Sequence, residues 1–116
     1  MKFTESLKKT CQFREVYNCG KSCADRFLVL YALKNNTDKN RLGISVSRKV
    51  GKSVTRSRVT RLIREVYRLT EEQVTPGFNL VFIARIPAGG AVFKDINLSV
   101  NMLMKRQRLL RKEEVL

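Results

Sequence analysis

The sequence predicts a single domain of the α+β class, and three observations carry that expectation. A length of 116 residues and an apolar content of 43% suit one modest core and no second domain. Apolar residues recur at helical spacing in two long segments, one through Val59, Ile63 and Tyr67 and one through Ile96, Val100 and Leu103. Before and between them lie short runs that either alternate or stay apolar throughout, which is the pattern of strands.

Residues 1–9 form a polar, basic lead-in, expected to be poorly ordered at its start. A short helix follows, capped by Thr10, running to about Cys19 and stopped by Gly20. Phe13, Val16 and Tyr17 lie on it at i, i+3 and i+4 and so share one side. Spacing alone favours the core for all three; the other reading is an aromatic surface on which unpaired bases stack. Residues 26–33 read as a strand, with Phe27, Val29, Tyr31 and Leu33 on one face and Leu28, Leu30 and Ala32 on the other. Apolar residues on both faces place it centrally or under a cover. Residues 34–40, KNNTDKN, are a hairpin-like loop.

The second strand, residues 41–47, alternates sharply: Leu42, Ile44 and Val46 face one way, Gly43, Ser45 and Ser47 the other. Its small, polar face either leaves room for a ligand backbone or is ordinary solvent-facing surface. A loop bearing Arg48, Lys49, Gly51 and Lys52 leads into a long helix. Val59, Leu62, Ile63, Val66 and Tyr67 fall on its apolar side. Arg61, Arg64 and Arg68, at about 100° per residue, project from the other side. Residues 70–77 are a turn region broken by Pro76 and Gly77, and residues 78–85 are a nearly all-apolar strand suited to burial on both faces. After a loop at 87–90, a last helix is expected over residues 93–112, with Ile96, Val100, Leu103 and Leu110 as its stripe. Lys105, Arg106, Arg108, Arg111 and Lys112 crowd its end, where cations suit the helix dipole.

Charge bounds the function. Twenty-four Lys and Arg against ten Asp and Glu leave +14, and residues 41–68 hold nine of the cations opposed by Glu65 alone. Such a field favours a polyanionic partner. A membrane surface is disfavoured, because no apolar run approaches the roughly 18–20 residues of a span and residues 1–10 lack the apolar segment of a signal peptide. The expectation is a soluble, cytoplasmic protein, with Cys11, Cys19 and Cys23 as free, reduced thiols. Their spacing, and the absence of histidine, argue against zinc. Two GKS triplets, at Gly20 and Gly51, lack the earlier glycine of a phosphate loop, since Glu15 and Val46 stand there. The acids are scattered away from the basic centre, and no histidine could serve a Ser or Cys nucleophile. The chain therefore reads as a holder of a polyanion with no catalytic residue and no metal ligands of its own. Aromatics beside a basic sheet favour RNA over DNA.

The run from Gly51 to Glu65, GKSVTRSRVTRLIRE, resembles the signature of the bacterial ribonuclease P protein subunit. That family has an Arg-Asn-Arg core, usually followed by a Lys-Arg pair, and the likeness extends over residues 13–20, 27–33 and 43–49. It implies an α/β sandwich in the order αβββαβα, with a mixed sheet of about four strands and a left-handed β-α-β crossover. It also implies a role in removing the 5′ leader of precursor tRNA, where a large RNA carries the chemistry and the RNA-containing holoenzyme uses Mg2+. The implied partners are ribonuclease P RNA and precursor tRNA, the protein being monomeric alone; the alternative is a general RNA-binding or ribosome-associated module. In family terms Arg56, Ser57, Arg58, Arg61 and Arg64 pack on the catalytic RNA, with Arg48, Lys49 and Lys52 as the basic loop beside them. Arg68 joins this set from the exposed side of the helix. Phe13, Tyr17 and Tyr31 match a leader-binding cleft, which leaves Val16 as the core member of its triplet. Two positions depart: Ser57 stands for the usual Asn and keeps a hydroxyl donor and acceptor without the amide's reach, and Thr60 stands for the usual Lys and removes one positive charge, while the arginine framework survives.

Overall fold

The computed structural model describes residues 3–111. Its elements run β1 (Thr4–Ser6), α1 (Thr10–Cys19), β2 (Lys21–Ala24), β3 (Leu28–Lys34), β4 (Asn40–Ser45), α2 (Ser53–Thr70), β5 (Phe78–Ala84) and α3 (Phe93–Arg106), with 3-10 turns at Glu71–Gln73 and Ile86–Gly90. The strands form one mixed sheet in the order β1-β4-β5-β3-β2. β4 and β5 are parallel neighbours joined through α2, whereas β3 runs antiparallel to both β5 and β2.

Each sheet face has its own cover. Leu28, Leu30, Leu42, Leu80 and Phe82 point toward α2 and α3, and meet Val59, Ile63, Val66 and Tyr67 of the first and Ile96, Val100, Leu103 and Met104 of the second. Most of these side chains are fully buried, and each contributes about 1.5–3 kcal/mol of apolar burial. The opposite face carries the smaller cluster of Leu7, Val16 and Val81, with Phe13, Tyr31, Leu33 and Ile83 half-buried around it. Among the described residues, α1 is the one helix over this face, and its ten residues are joined there by Leu7.

The helices and the three longer strands stand near their expected places. Five strands are present where about four were expected, and the two that the sequence did not locate, β1 and β2, are both short. β1 pairs with Asn40, Arg41 and Leu42 of β4 in parallel, and the Leu7 N–H donates to the Leu42 carbonyl at 2.9 Å. Residues 3–6 of the lead-in are thus held in place. Thr4 Oγ1 shares a 2.9 Å hydrogen bond with the buried Tyr67 hydroxyl, and the Phe3 N–H donates to the buried Glu71 carboxylate. Met1 and Lys2 lie outside the described residues. β2 supplies the third consecutive strand of the αβββ order; as a polar edge strand it shows no apolar pattern. Side chains from the end of α3 cap its carbonyls, Gln107 at Lys21 and Arg106 at Ala24.

Several local expectations need correction. Lys9, not Thr10, occupies the N-cap of α1, and its N–H donates to the Gln12 side chain. Phe27 lies before β3 and packs toward the larger core, not on the Tyr31 face. β4 stops at Ser45, two residues earlier than expected. α3 stops at Arg106; Arg108 then adopts a left-handed conformation, and Leu110 forms an antiparallel bridge with Val74 instead of a fourth rung of the helical stripe. Backbone bonds from Thr75 to Leu109 and from Arg111 to Gln73 hold the chain there. Lys112, the expected last residue of that helix, lies outside the described residues.

Candidate nucleic-acid interface

α2 buries Val59, Ile63, Val66 and Tyr67 and leaves Ser57, Arg61, Arg64 and Arg68 exposed at successive spacings of four, three and four. Beside this exposed row runs an open groove of about 670 Å3, lined by Ser53, Arg56, Ser57, Thr60, Arg61 and Arg64 of α2 and by Ile44 and Val46. The groove exists because β1 covers only the first half of β4. Residues 43–47 have no strand partner on that side among the described residues.

Arg56, Ser57, Arg61 and Arg64 are therefore gathered by one feature. Arg56 is half-buried, and its Nε is buried without a hydrogen-bond partner among the described residues. Thr60 has committed its hydroxyl to the Arg56 carbonyl at 2.9 Å, so it offers the groove a methyl wall where a Lys would offer charge. Ser57 is exposed on the groove lip and retains a hydroxyl donor and acceptor.

Arg48, Lys49 and Lys52 stand at the N-terminal end of α2. All three are exposed, Lys52 occupies the N-cap, and the first turn holds no acid, so the positive end of the helix dipole is reinforced. Lys49 also borders a smaller cleft of about 330 Å3 shared with Arg85, Ile86 and Pro87, residues that sequence reasoning did not select. Arg68 marks the other end of the row and is clasped by Glu65 at 2.6 and 3.1 Å. The neighbouring guanidinium holds the Glu65 carboxyl below the usual carboxylate range. Arg58 is the exception. Its guanidinium turns away from the groove and donates to the carbonyls of Gly89 and Ala91.

The aromatic residues lie on the other side of the sheet. Phe13 and Tyr17 have ring centroids 6.3 Å apart, and Tyr17 meets Tyr31 edge-on at 5.2 Å. Val16 is fully buried, Phe13 and Tyr31 are half-buried, and Tyr17 is 37% exposed. The three rings thus form a continuous row at the border of the smaller core, and Tyr17 is not a core residue. Burial pushes the Tyr17 phenol up, offset in part by a hydrogen bond with Ser45. Ser45 and Ile83 complete this surface. Neither was singled out in the sequence, although the alternation of β4 had already placed Ser45 on a face apart from Ile44 and Val46.

β4 is consequently a shared wall. Ile44 and Val46 line the cationic groove, while Gly43 and Ser45 face α1 and its rings. Among the described residues, no three His, Cys, Asp or Glu side chains gather closely enough to hold a metal ion, and no helix is long and apolar enough to cross a membrane. Cys11 and Cys19 are exposed free thiols, and Cys23 is a half-buried one.

Fold and surfaces together define an α+β domain of the nucleic-acid-holding class, with guanidinium groups on one side of a strand and a row of aromatic rings on the other. The family model for ribonuclease P matches residues 1–108. The ribonuclease P protein component of Clostridioides difficile (strain 630) is 55% identical over 104 residues, covering 89% of this chain and 91% of that protein. That of Alkaliphilus oremlandii (strain OhILAs) is 44% identical over 110 residues, covering 95% and 96%. The solved RNase P protein of Staphylococcus aureus matches with a TM-score of 0.85 at 33% identity, over 91% of this chain and 97% of that one. The RNase P protein of Thermotoga maritima matches with a TM-score of 0.80 at 31% identity, over 88% and 96%. The chain belongs to the bacterial ribonuclease P protein family. Its role is that of the protein subunit of an endoribonuclease that works with an RNA subunit in tRNA 5′ processing.

Proposed function

We propose that the chain grips two RNAs at once across β4. The groove of Arg56, Ser57, Arg61 and Arg64, extended by Arg48, Lys49 and Lys52 at one end and Arg68 at the other, takes the ribonuclease P RNA. The row of Phe13, Tyr17 and Tyr31 takes the single-stranded 5′ leader of precursor tRNA. Partly exposed rings with centroids 5.2 and 6.3 Å apart suit unpaired bases, which stack without regard to sequence. Guanidinium groups suit phosphates, to which they donate paired hydrogen bonds. The observation that carries this reading is the shared wall: one strand separates the rings from the cations, so the leader would be held close to the RNA that cuts it.

The chemistry then belongs to the RNA, and so does the Mg2+ it requires, because the protein's carboxylates are dispersed. The protein contributes position and charge screening, which lowers the divalent ion needed to overcome phosphate repulsion. On this reading it is a monomer alone and works in the cytoplasm, where precursor tRNA is matured. Adding the purified protein to its RNA subunit at low magnesium should raise the rate of leader removal. An unchanged rate would overturn the proposal, and equal binding of precursor and mature tRNA by the complex would favour a generic RNA binder.

A further inference from the structure

Gly43 is buried in β4 against the far edge of the Phe13 ring. A Cβ built on it would stand 2.6 Å from Phe13 Cε1 and 2.7 Å from Cζ, with Leu7 Cδ2 at 3.3 Å. Ordinary carbon contacts lie near 3.5–4 Å. The space that the sequence left open to a ligand backbone is therefore filled by the protein's own ring. Two residues along the same strand face stands Ser45, and the repeats match: four residues of helix rise about 6 Å, and two residues of strand about 6.6 Å. The close approach of Gly43 to Phe13 thus fixes where α1 sits along β4.

We propose that Gly43 is a positioning residue for the leader cleft: its missing side chain seats Phe13 and so sets the row Phe13–Tyr17–Tyr31. The inference rests on the reading of that cleft as the site of a single-stranded leader. Glycine is not required here by backbone conformation, since Gly43 is absent from the positive-φ glycines, Gly51 and Gly77. Nor is it demanded by a rigid core, because the atoms a methyl would strike are the far end of a half-buried ring that can swing outward. The same collision is cheap for folding and damaging for the cleft, since a swung ring no longer offers its stacking face.

The test is Gly43→Ala in the complex reconstituted with the RNA subunit, with affinities measured for precursor and mature tRNA. Precursor affinity should fall about tenfold, within the range of one lost base stack, with mature tRNA bound as before. In a Phe13→Ala background the same substitution should cost nothing further, because the ring it strikes is gone. Equal losses in both backgrounds, or no loss beside a clear loss for Phe13→Ala alone, would overturn the role of Gly43 while leaving the cleft intact. No selective loss for Phe13→Ala alone would remove the cleft reading, and this inference with it. If Gly43→Ala fails to fold, folding of the double variant supports the seat and its failure overturns it.

Discussion

The Arg58 guanidinium donates to the Ala91 carbonyl at 2.8 Å, and with its other terminal nitrogen to the carbonyl of Gly89. A side chain from the middle of the family signature is thereby spent inside the protein. It ties α2 to the Ile86–Gly90 turn, which presses on the basic loop: a Cβ on Gly89 would lie 2.6 Å from the Val50 carbonyl oxygen. Arg58→Ala should therefore destabilise the fold by about 1.5–3 kcal/mol, the worth of charged hydrogen bonds to carbonyls that would be left unpaired. Urea unfolding measures this. The salt dependence of RNA binding by the folded fraction should stay that of the parent.

Arg61 offers the opposite result. It is exposed on the groove, and among the described residues its side chain makes no hydrogen bond or ion pair. Arg61→Ala should leave stability within about 0.5 kcal/mol and reduce the slope of log K against log salt by roughly 0.7–0.9, one phosphate contact fewer. Titration of the RNA subunit at several salt concentrations reads this directly; an unchanged slope would remove Arg61 from the interface.

The aromatic row predicts selectivity and not general weakening. Phe13→Ala or Tyr17→Ala should cost leader-bearing tRNA roughly 1–3 kcal/mol of binding. Mature tRNA should be unaffected. Competition between the two RNAs on the reconstituted complex separates them, and equal losses would show that the rings do not hold the leader.

Tyr67 makes a prediction about pH. Its hydroxyl is buried and bonded to Thr4 Oγ1, so Tyr67→Phe should cost about 1 kcal/mol and loosen β1. Burial also pushes its phenol above the ordinary value, so the native state keeps the proton longer than the unfolded chain does. That stabilisation is whole below about pH 10 and is lost as pH rises through the folded value. The parent should therefore weaken more steeply than Tyr67→Phe above about pH 10, as urea midpoints across that range would show.

The places where the sequence could be read are those where neighbours in the chain decide the structure. Val59, Ile63, Val66 and Tyr67 mark α2 by their own spacing, and the nearly all-apolar run of β5 declares burial on both faces. The direction of Arg61 and Arg64 follows from helical geometry alone. β1 and β2 escaped because Thr4–Ser6 and Lys21–Ala24 are too short and too polar to carry a pattern; one is held by β4 and Tyr67, the other by β3 and the end of α3. The far end of α3 was overrun because Leu110 continues the helical spacing while the chain turns at Arg108 to reach Val74.

By itself, then, the sequence determined the class of fold, the cationic face of α2, the sides of β4 and the absence of histidine chemistry. Those properties follow from composition and from periods of two and 3.6 residues, which act over a few bonds. Only the tertiary structure decided that Arg58 turns inward while Arg61 turns out, that Tyr17 escapes the core that takes Val16, and that Gly43 makes room for a ring and not for a ligand. Each of these depends on which distant segment arrives alongside: residues 89–91 for Arg58, β3 and β4 for Tyr17, α1 for Gly43. A periodic pattern names the face on which a side chain stands; only packing between segments far apart in the chain supplies what stands against it.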